Sequence, residues 1–307
     1  MTTASSGGAL PPGAPPGTPT AGARPASTWT PSPVQQRRDA YRRARVRRSV
    51  LVAALSTVVV VGLLSAAVTS APGWPRVREA FFSWPDARAA LPEVATGLWL
   101  NVKLFLVCSV FILLFGLLIA VLRTLRGPVF WPLRALATVY VDLFRGLPLI
   151  LVLLIVGLGV PGLRLQGVPT DFAVLGGTAL VLSYSAYVAE VLRAGIESVH
   201  PSQRAAARSL GLSAGQTLRH VVLPQGVRRV VPALLNDFVS LQKDSGLVSI
   251  IGAADAIANA GIYTARTFNF TSYVVAGALF VALTIPMTRL TDWVSRRSGY
   301  LPTGGHL

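Results

Sequence analysis

Residues 203–225 read QRAAARSLGLSAGQTLRHVVLPQ, and what this stretch does depends on what flanks it. It lies in a polar segment, Glu197 to Arg229, that carries Arg204, Arg208, Arg219, Arg228 and Arg229. On either side stand apolar runs, about Phe172 to Leu192 and about Val230 to Ile251. Each is near the roughly 20 residues a helix needs to cross a bilayer. An arginine-rich connector between two spans belongs on the cytoplasmic side. Within it, small alanines allow another surface to approach closely, and Gly211 supplies the positive φ that stops a helix. Ser213 and Gln216 have capping-box spacing, and Pro224 suits the first turn of the next span. The stretch is therefore expected to fold as helix, turn, helix along the membrane surface. An ordinary amphipathic connector would share this local pattern.

Working outward, four more apolar runs appear. Val50 to Ala71 follows a basic run, Arg37, Arg38, Arg42, Arg43, Arg45, Arg47 and Arg48. Thr69-Ser70-Ala71 could be cleaved, but Pro72 follows at once and the basic run is long, so an uncleaved helix with a cytoplasmic N-terminus is the better reading. The second run, about Ala95 to Leu122, ends in Arg123 and Arg126. The third, about Ala135 to Val160, contains Arg145-Gly146-Leu147-Pro148, so the true span starts near Pro148. The last, about Tyr273 to Val294, ends in Arg296-Arg297. Every arginine-rich connection then falls on one side, which predicts about six transmembrane helices with both termini cytoplasmic. The expected organisation is a disordered basic tail (1–48), an extra helix (49–71), an outer loop whose charges cancel (72–94), a membrane core (95–295) containing the loop 203–224, and a cytoplasmic tail (296–307).

Composition excludes several classes. Apolar residues are 52% and charged residues 13% of the chain, with a formal net charge of +16, which is not a soluble balance. The arginines sit beside the apolar runs rather than in a patch, which argues against nucleic acid as a partner. Cys108 is alone, so no intrachain disulfide or cysteine metal site is available. His200, His220 and His306 lack neighbours at ligand or triad spacing, so no metal and no catalytic residues are expected. No phosphate-cradling glycine-rich loop ending in Gly-Lys-Ser/Thr occurs, so the chain is not expected to be an ATPase or any other enzyme.

The pattern of Ala206, Ala207, a glycine (Gly211), nine further residues and then an apolar pair with Leu223-Pro224 resembles the EAA loop of ABC importer permeases. Ala205 stands where that family carries glutamate, which removes a helix-end charge. The resemblance narrows to the polar amino-acid permeases of the histidine, glutamine and glutamate type. Gly97 to Lys103, Tyr140 to Pro148 (with Leu147 for the usual threonine), Tyr187 to Arg193 and Leu223 to Gln225 with Asn236, Leu241, Lys243, Asp244 and Ser245 all match it, over about Thr96 to Trp293. It implies an all-α polytopic membrane protein in which five helices form an ABC importer permease core. It also implies that Ala206, Ala207, Gly211, Leu223 and Pro224 couple to an ABC ATPase dimer, which binds ATP and magnesium, with no cofactor on this chain. Further implied partners are an extracytoplasmic amino-acid-binding protein, a second permease chain, identical or paralogous, and membrane lipid. The implied location is the bacterial cytoplasmic membrane.

Charges inside the fifth run need an explanation, because each costs about 2.5 to 3.5 kcal/mol on insertion scales. Asn236, Asp237, Ser240, Lys243 and Asp244 fall within about 120° of one another on a helix. Such a stripe faces other helices or a watery path. It is read either as a path for a zwitterionic solute, with Lys243 receiving a carboxylate, or as an interhelical network. Lys243 leans the cargo towards glutamate or glutamine. Glu190 and Arg193 are three apart and are expected to form a structural ion pair that braces the loop. A secondary transporter or channel is the rival, but neither internal repeats nor broken helices are evident in the sequence.

Overall fold

The computed structural model describes residues 32–125 and 127–297. The expected disordered residues 1–31, Arg126 and the tail 298–307 lie outside them. Among the described residues there are helices and no strands, and the chain divides into two units, 1–71 and 72–307. The first unit holds one helix, α1 (Pro33–Thr69). Ser32 caps it, accepting the Gln35 N–H, and Pro33 opens it, as a ring without an N–H can. This corrects the expectation of a disordered tail up to residue 48: residues 33–48 are helical, continuous with the apolar part.

The second unit begins with α2 (Trp74–Phe81) and α3 (Trp84–Thr124), so the expected outer loop 72–94 is largely helical. Proline opens both helices near their first turn. In α3 the residues 104–122 carry no charge, a length of about 28 Å that matches one hydrocarbon thickness. Next come α4 (Trp131–Gly146), α5 (Leu149–Leu154), a π-helical turn (Ile155–Gly159) and α6 (Val160–Gly162). The pair before and after Leu147-Pro148 is bent by 105°. Leu147 is extended (φ −88°, ψ 135°) because the residue before a proline is kept out of the helical region.

Helix α7 (Phe172–Glu197) is capped by Asp171, which accepts the Val174 N–H at 3.0 Å. It is followed by α8 (Pro201–Ser209) and α9 (Ala214–Thr217). A π-helical turn (Leu218–Val222) leads directly into α10 (Leu223–Asp244) and a 3-10 segment (Ser245–Ile251). The second short helix therefore runs on into the span instead of lying apart from it. After Gly252 the chain enters α11 (Ala256–Thr267) at a 47° bend, then α12 (Thr271–Arg297). The two bends correct the reading that no broken helix is present. Among the described residues four helices are long and apolar enough to cross a membrane, and up to six if each bent pair is one span.

Small residues set how closely these helices pack, as is usual where lipid supplies no drive for association. Leu104, Cys108 and Ile112 of α3 lie in one buried cluster with Ala179, Leu180 and Val188 of α7. A Cβ on Gly116 would come within 2.6 Å of Val188 Cγ1. At the far end of α3, Ala90 and Val94 cluster with Ala256, Ala260 and Ala276, which places α11 and α12 against it.

Candidate functional site

The connector between α7 and α10 is built by local hydrogen bonds. Gly211 has φ +84°, and the Leu212 N–H reaches the Ala207 carbonyl at 3.2 Å, which closes α8 in a Schellman turn. The capping box forms in both directions: the Gln216 N–H donates to Ser213 Oγ at 3.3 Å and the Ser213 N–H to Gln216 Oε1 at 2.9 Å. Arg204 of α8 and Arg229 of α10 bond the C-terminal end of α7 and its cap. The Arg204 guanidinium donates to the Ile196 carbonyl at 2.6 Å, and the Arg229 guanidinium donates to the Ser198 carbonyl.

Ala206, Gly211, Leu223 and Pro224 are exposed on the connector, as is Ala205. Ala207 is not, at 4% exposure. Of the expected contact residues Ala207 thus faces inward in this chain, on the side of α8 opposite its exposed face. The exposed knob is instead Leu210, 83% exposed and next to Gly211. Its sequence position carried no signal, because an apolar residue at a helix end is ordinarily read as buried.

Glu190 is the centre of an ion cluster where α7 approaches the connector. Its carboxylate accepts from Arg193 at 2.5 Å and from Arg123 of α3 at 2.6 Å, with Arg145 of α4 at 4.0 Å. Arg193 also reaches Glu197, the last residue of α7, at 2.5 Å. With 21% side-chain exposure, Glu190 is partly withdrawn from water, which strengthens the attraction beyond that of a surface pair. Three helices are thereby pinned together. Only the partner on its own helix, Arg193, had the short spacing that shows in sequence.

The stripe on α10 is divided between engaged and free groups. Asp244 Oδ2 accepts the Tyr184 hydroxyl of α7 at 2.6 Å. Asp237 is partly buried, and its Oδ2 has no hydrogen-bond partner among the described residues. Ser240 is half-buried, while Asn236 and Lys243 are exposed. Lys243 makes no ion pair among the described residues. Lys243 thus presents a cation at the surface of α10, while the unpartnered Asp237 Oδ2 is closed off from solvent. Asn101 of α3 and Asp255, the cap of α11, also bear on this region. Both are buried, at 1% and 0% exposure, and the Asn101 amide donates to Asp255 Oδ2 at 3.1 Å. They lie 154 residues apart, so no spacing in the sequence announces them.

Comparison with known proteins agrees with this architecture. Residues 112–300 match the family described as binding-protein-dependent transport system inner membrane component. The arginine transport system permease protein ArtQ of Bacillus subtilis is 32% identical over 208 residues, covering 67% of this chain and 93% of the relative. The glutamate transport system permease protein GluC of Corynebacterium glutamicum is 35% identical over 210 residues, covering 64% and 90%. Among solved structures, an amino acid ABC transporter with histidines aligns with a TM-score of 0.62 at 34% identity, covering 67% of this chain and 94% of that one. The MetNI methionine transporter in inward-facing form, at 21% identity and a TM-score of 0.57, shares the fold. With these helices, this connector and these matches, the chain belongs to the inner membrane components of binding-protein-dependent transport systems, the permease subunits of ABC importers.

Proposed function

We propose that this chain is the permease subunit of an ATP-driven importer of a polar amino acid, with glutamate or glutamine as the favoured cargo. The carrying observation is its 32–35% identity to permeases named for arginine, glutamine and glutamate, over 82–93% of their lengths. In this reading ATP and magnesium are held by an ATPase dimer, a binding protein delivers the solute outside, and a second permease chain completes the path. The cytoplasmic membrane holds the assembly. The exposed surface around Ala206, Leu210 and Gly211 receives the ATPase. Movement there passes through Arg204 and Arg229 to the end of α7, and through the Glu190 cluster to α3 and α4. Asn236, Asp237, Ser240 and Lys243 line the solute path, with Lys243 receiving a carboxylate.

The contact is tested in proteoliposomes containing the permease, its ATPase and its binding protein. Leu210→Asp places a charge on an 83% exposed position, so folding is preserved. A central contact residue typically carries about 2 kcal/mol, so ATPase affinity should fall roughly thirtyfold. Solute-stimulated hydrolysis should fall with it, and hydrolysis unchanged from wild type would sink the docking role. For the cargo, Lys243→Glu should turn preference from labelled glutamate towards labelled arginine. An unaltered ratio removes Lys243 from the path.

A further inference from the structure

The last turn of α10 is held from three sides. On the α7 side Tyr184 donates to Asp244 at 2.6 Å, and on the α12 side Thr284 donates to Gln242 Oε1 at 2.7 Å. On the α3 side the Asn101 amide donates to the Ser245 carbonyl at 2.9 Å, immediately after Lys243-Asp244. The same amide donates to Asp255 Oδ2 at 3.1 Å, and its oxygen accepts the Ala256 N–H at 3.1 Å. Asn101 thus spends both donors and its acceptor on the two edges of the break between α10 and α11. Asp255 in turn caps α11 through the Ala258 N–H at 2.8 Å. One turn along α3, a Cβ on Gly97 would lie 2.4 Å from the Asp255 carbonyl, so α3 and the break are in backbone contact. In the midst of these bonds Lys243 is exposed and carries no hydrogen bond or ion pair among the described residues.

We propose that Asn101 is a positioning residue: with Asp255 it clasps the broken span to α3, and its separate bond to Ser245 fixes the turn that presents Lys243 to the solute. This rests on the reading of α10 as the solute path. A buried, satisfied asparagine with a purely structural role would stabilise the helix packing and nothing else, so the two roles must be separated.

The geometry supplies the means. Asn101→Asp sets two buried carboxylates against each other and removes the donor to Ser245. Adding Asp255→Asn restores a donor and acceptor between positions 101 and 255, leaves the Ala256 N–H an acceptor, and keeps an oxygen for the α11 cap. The Ser245 carbonyl is left without its donor and faces a carboxylate oxygen, and the second amide N–H at position 255 has no partner among these groups. The sole cysteine, Cys108, is buried, so Cys108→Ala with Lys243→Cys gives a thiol whose rate of modification by an anionic thiosulfonate reports the exposure of position 243. In otherwise wild-type chains, amino acid carried per ATP hydrolysed gives a second readout.

Asn101→Asp should lower the melting temperature, as expected when a buried polar group loses its partner, and should also change both readouts. The double variant should recover only the part of the melting temperature that the clash of two carboxylates removed, while both readouts stay displaced. Recovery of all three together overturns the positioning role, as does a single variant that changes stability alone. If the wild-type assembly carries neither glutamate, glutamine nor arginine with ATP, the importer reading fails. The thiol readout still decides for or against the clasp in that case.

Discussion

Glu190 faces three guanidiniums, and among the described residues only Glu197, which Arg193 also holds, shares them. Replacing it by glutamine keeps the shape and removes the charge. Arg123, only 13% exposed, then loses its ionic partner. Glu190→Gln should therefore lower unfolding stability by about 2 kcal/mol, the scale of a charged hydrogen bond. Thermal unfolding of the purified permease in detergent checks this. Added salt should narrow the gap only slightly, since withdrawn charges are weakly screened. Gly97 sets a different limit. The neighbour of its missing Cβ is backbone, the Asp255 carbonyl at 2.4 Å, and backbone cannot rotate away. Gly97→Ala should cost about 1 to 3 kcal/mol by overpacking, against nearly nothing for Gly146→Ala, where no atom lies within 4 Å. Equal melting temperatures for the two would contradict the close approach of α3 to the break.

At the level of elements, the connector shows how a short helix is stabilised without a core of its own. Helix α9 is only four residues long, and an isolated turn of that length does not persist in water. Its capping box and its continuity with α10 hold it. Ser213→Ala removes one half of the box and should cost about 1 kcal/mol. The loss should appear as faster amide exchange at Gln216, whose N–H donates to Ser213 Oγ, with exchange in the middle of α7 unchanged. Uniformly faster exchange across both would mean that α9 has no local stability of its own. A second element, the turn after α11, holds Phe268 at φ +54° although the side chain is 85% exposed. A non-glycine residue there costs about 1 kcal/mol. The turn keeps it because Asn269 bonds the Glu79 carbonyl and Asp86, and the Phe270 N–H bonds the Ala80 carbonyl.

For the whole molecule, the relatives bear on how much of the chain makes the core. Two thirds of this chain cover 93% of ArtQ and 94% of the solved amino acid transporter chain. The three buried clusters also lie wholly within residues 72–307. A chain lacking residues 1–71 should therefore insert and give a monodisperse permease. Gel filtration and protease resistance check this, and aggregation of the shortened chain would show that folding of the core needs the first helix.

The features legible in the sequence depend on near neighbours or on bulk solvent. Apolar run length and arginine placement located the spans because burial in lipid is a property of each segment. Gly211, Ser213, Gln216 and Pro224 predicted their own conformations because those bonds close within five residues. The helical start of residues 33–48, helix α2 and the bend at α11 are not legible in the sequence, because polar or short segments and changes of helix direction leave no mark on apolar run length. What faces what was decided only by tertiary structure. Which of Ala206 and Ala207 meets solvent, which arginines surround Glu190, and the meeting of Asn101 with Asp255 all follow from the rotation and crossing of whole helices. That geometry is set by the close packing of Gly97, Gly116, Gly195 and Gly226 against their neighbours. Such contacts join residues far apart along the chain, and local sequence carries no record of them.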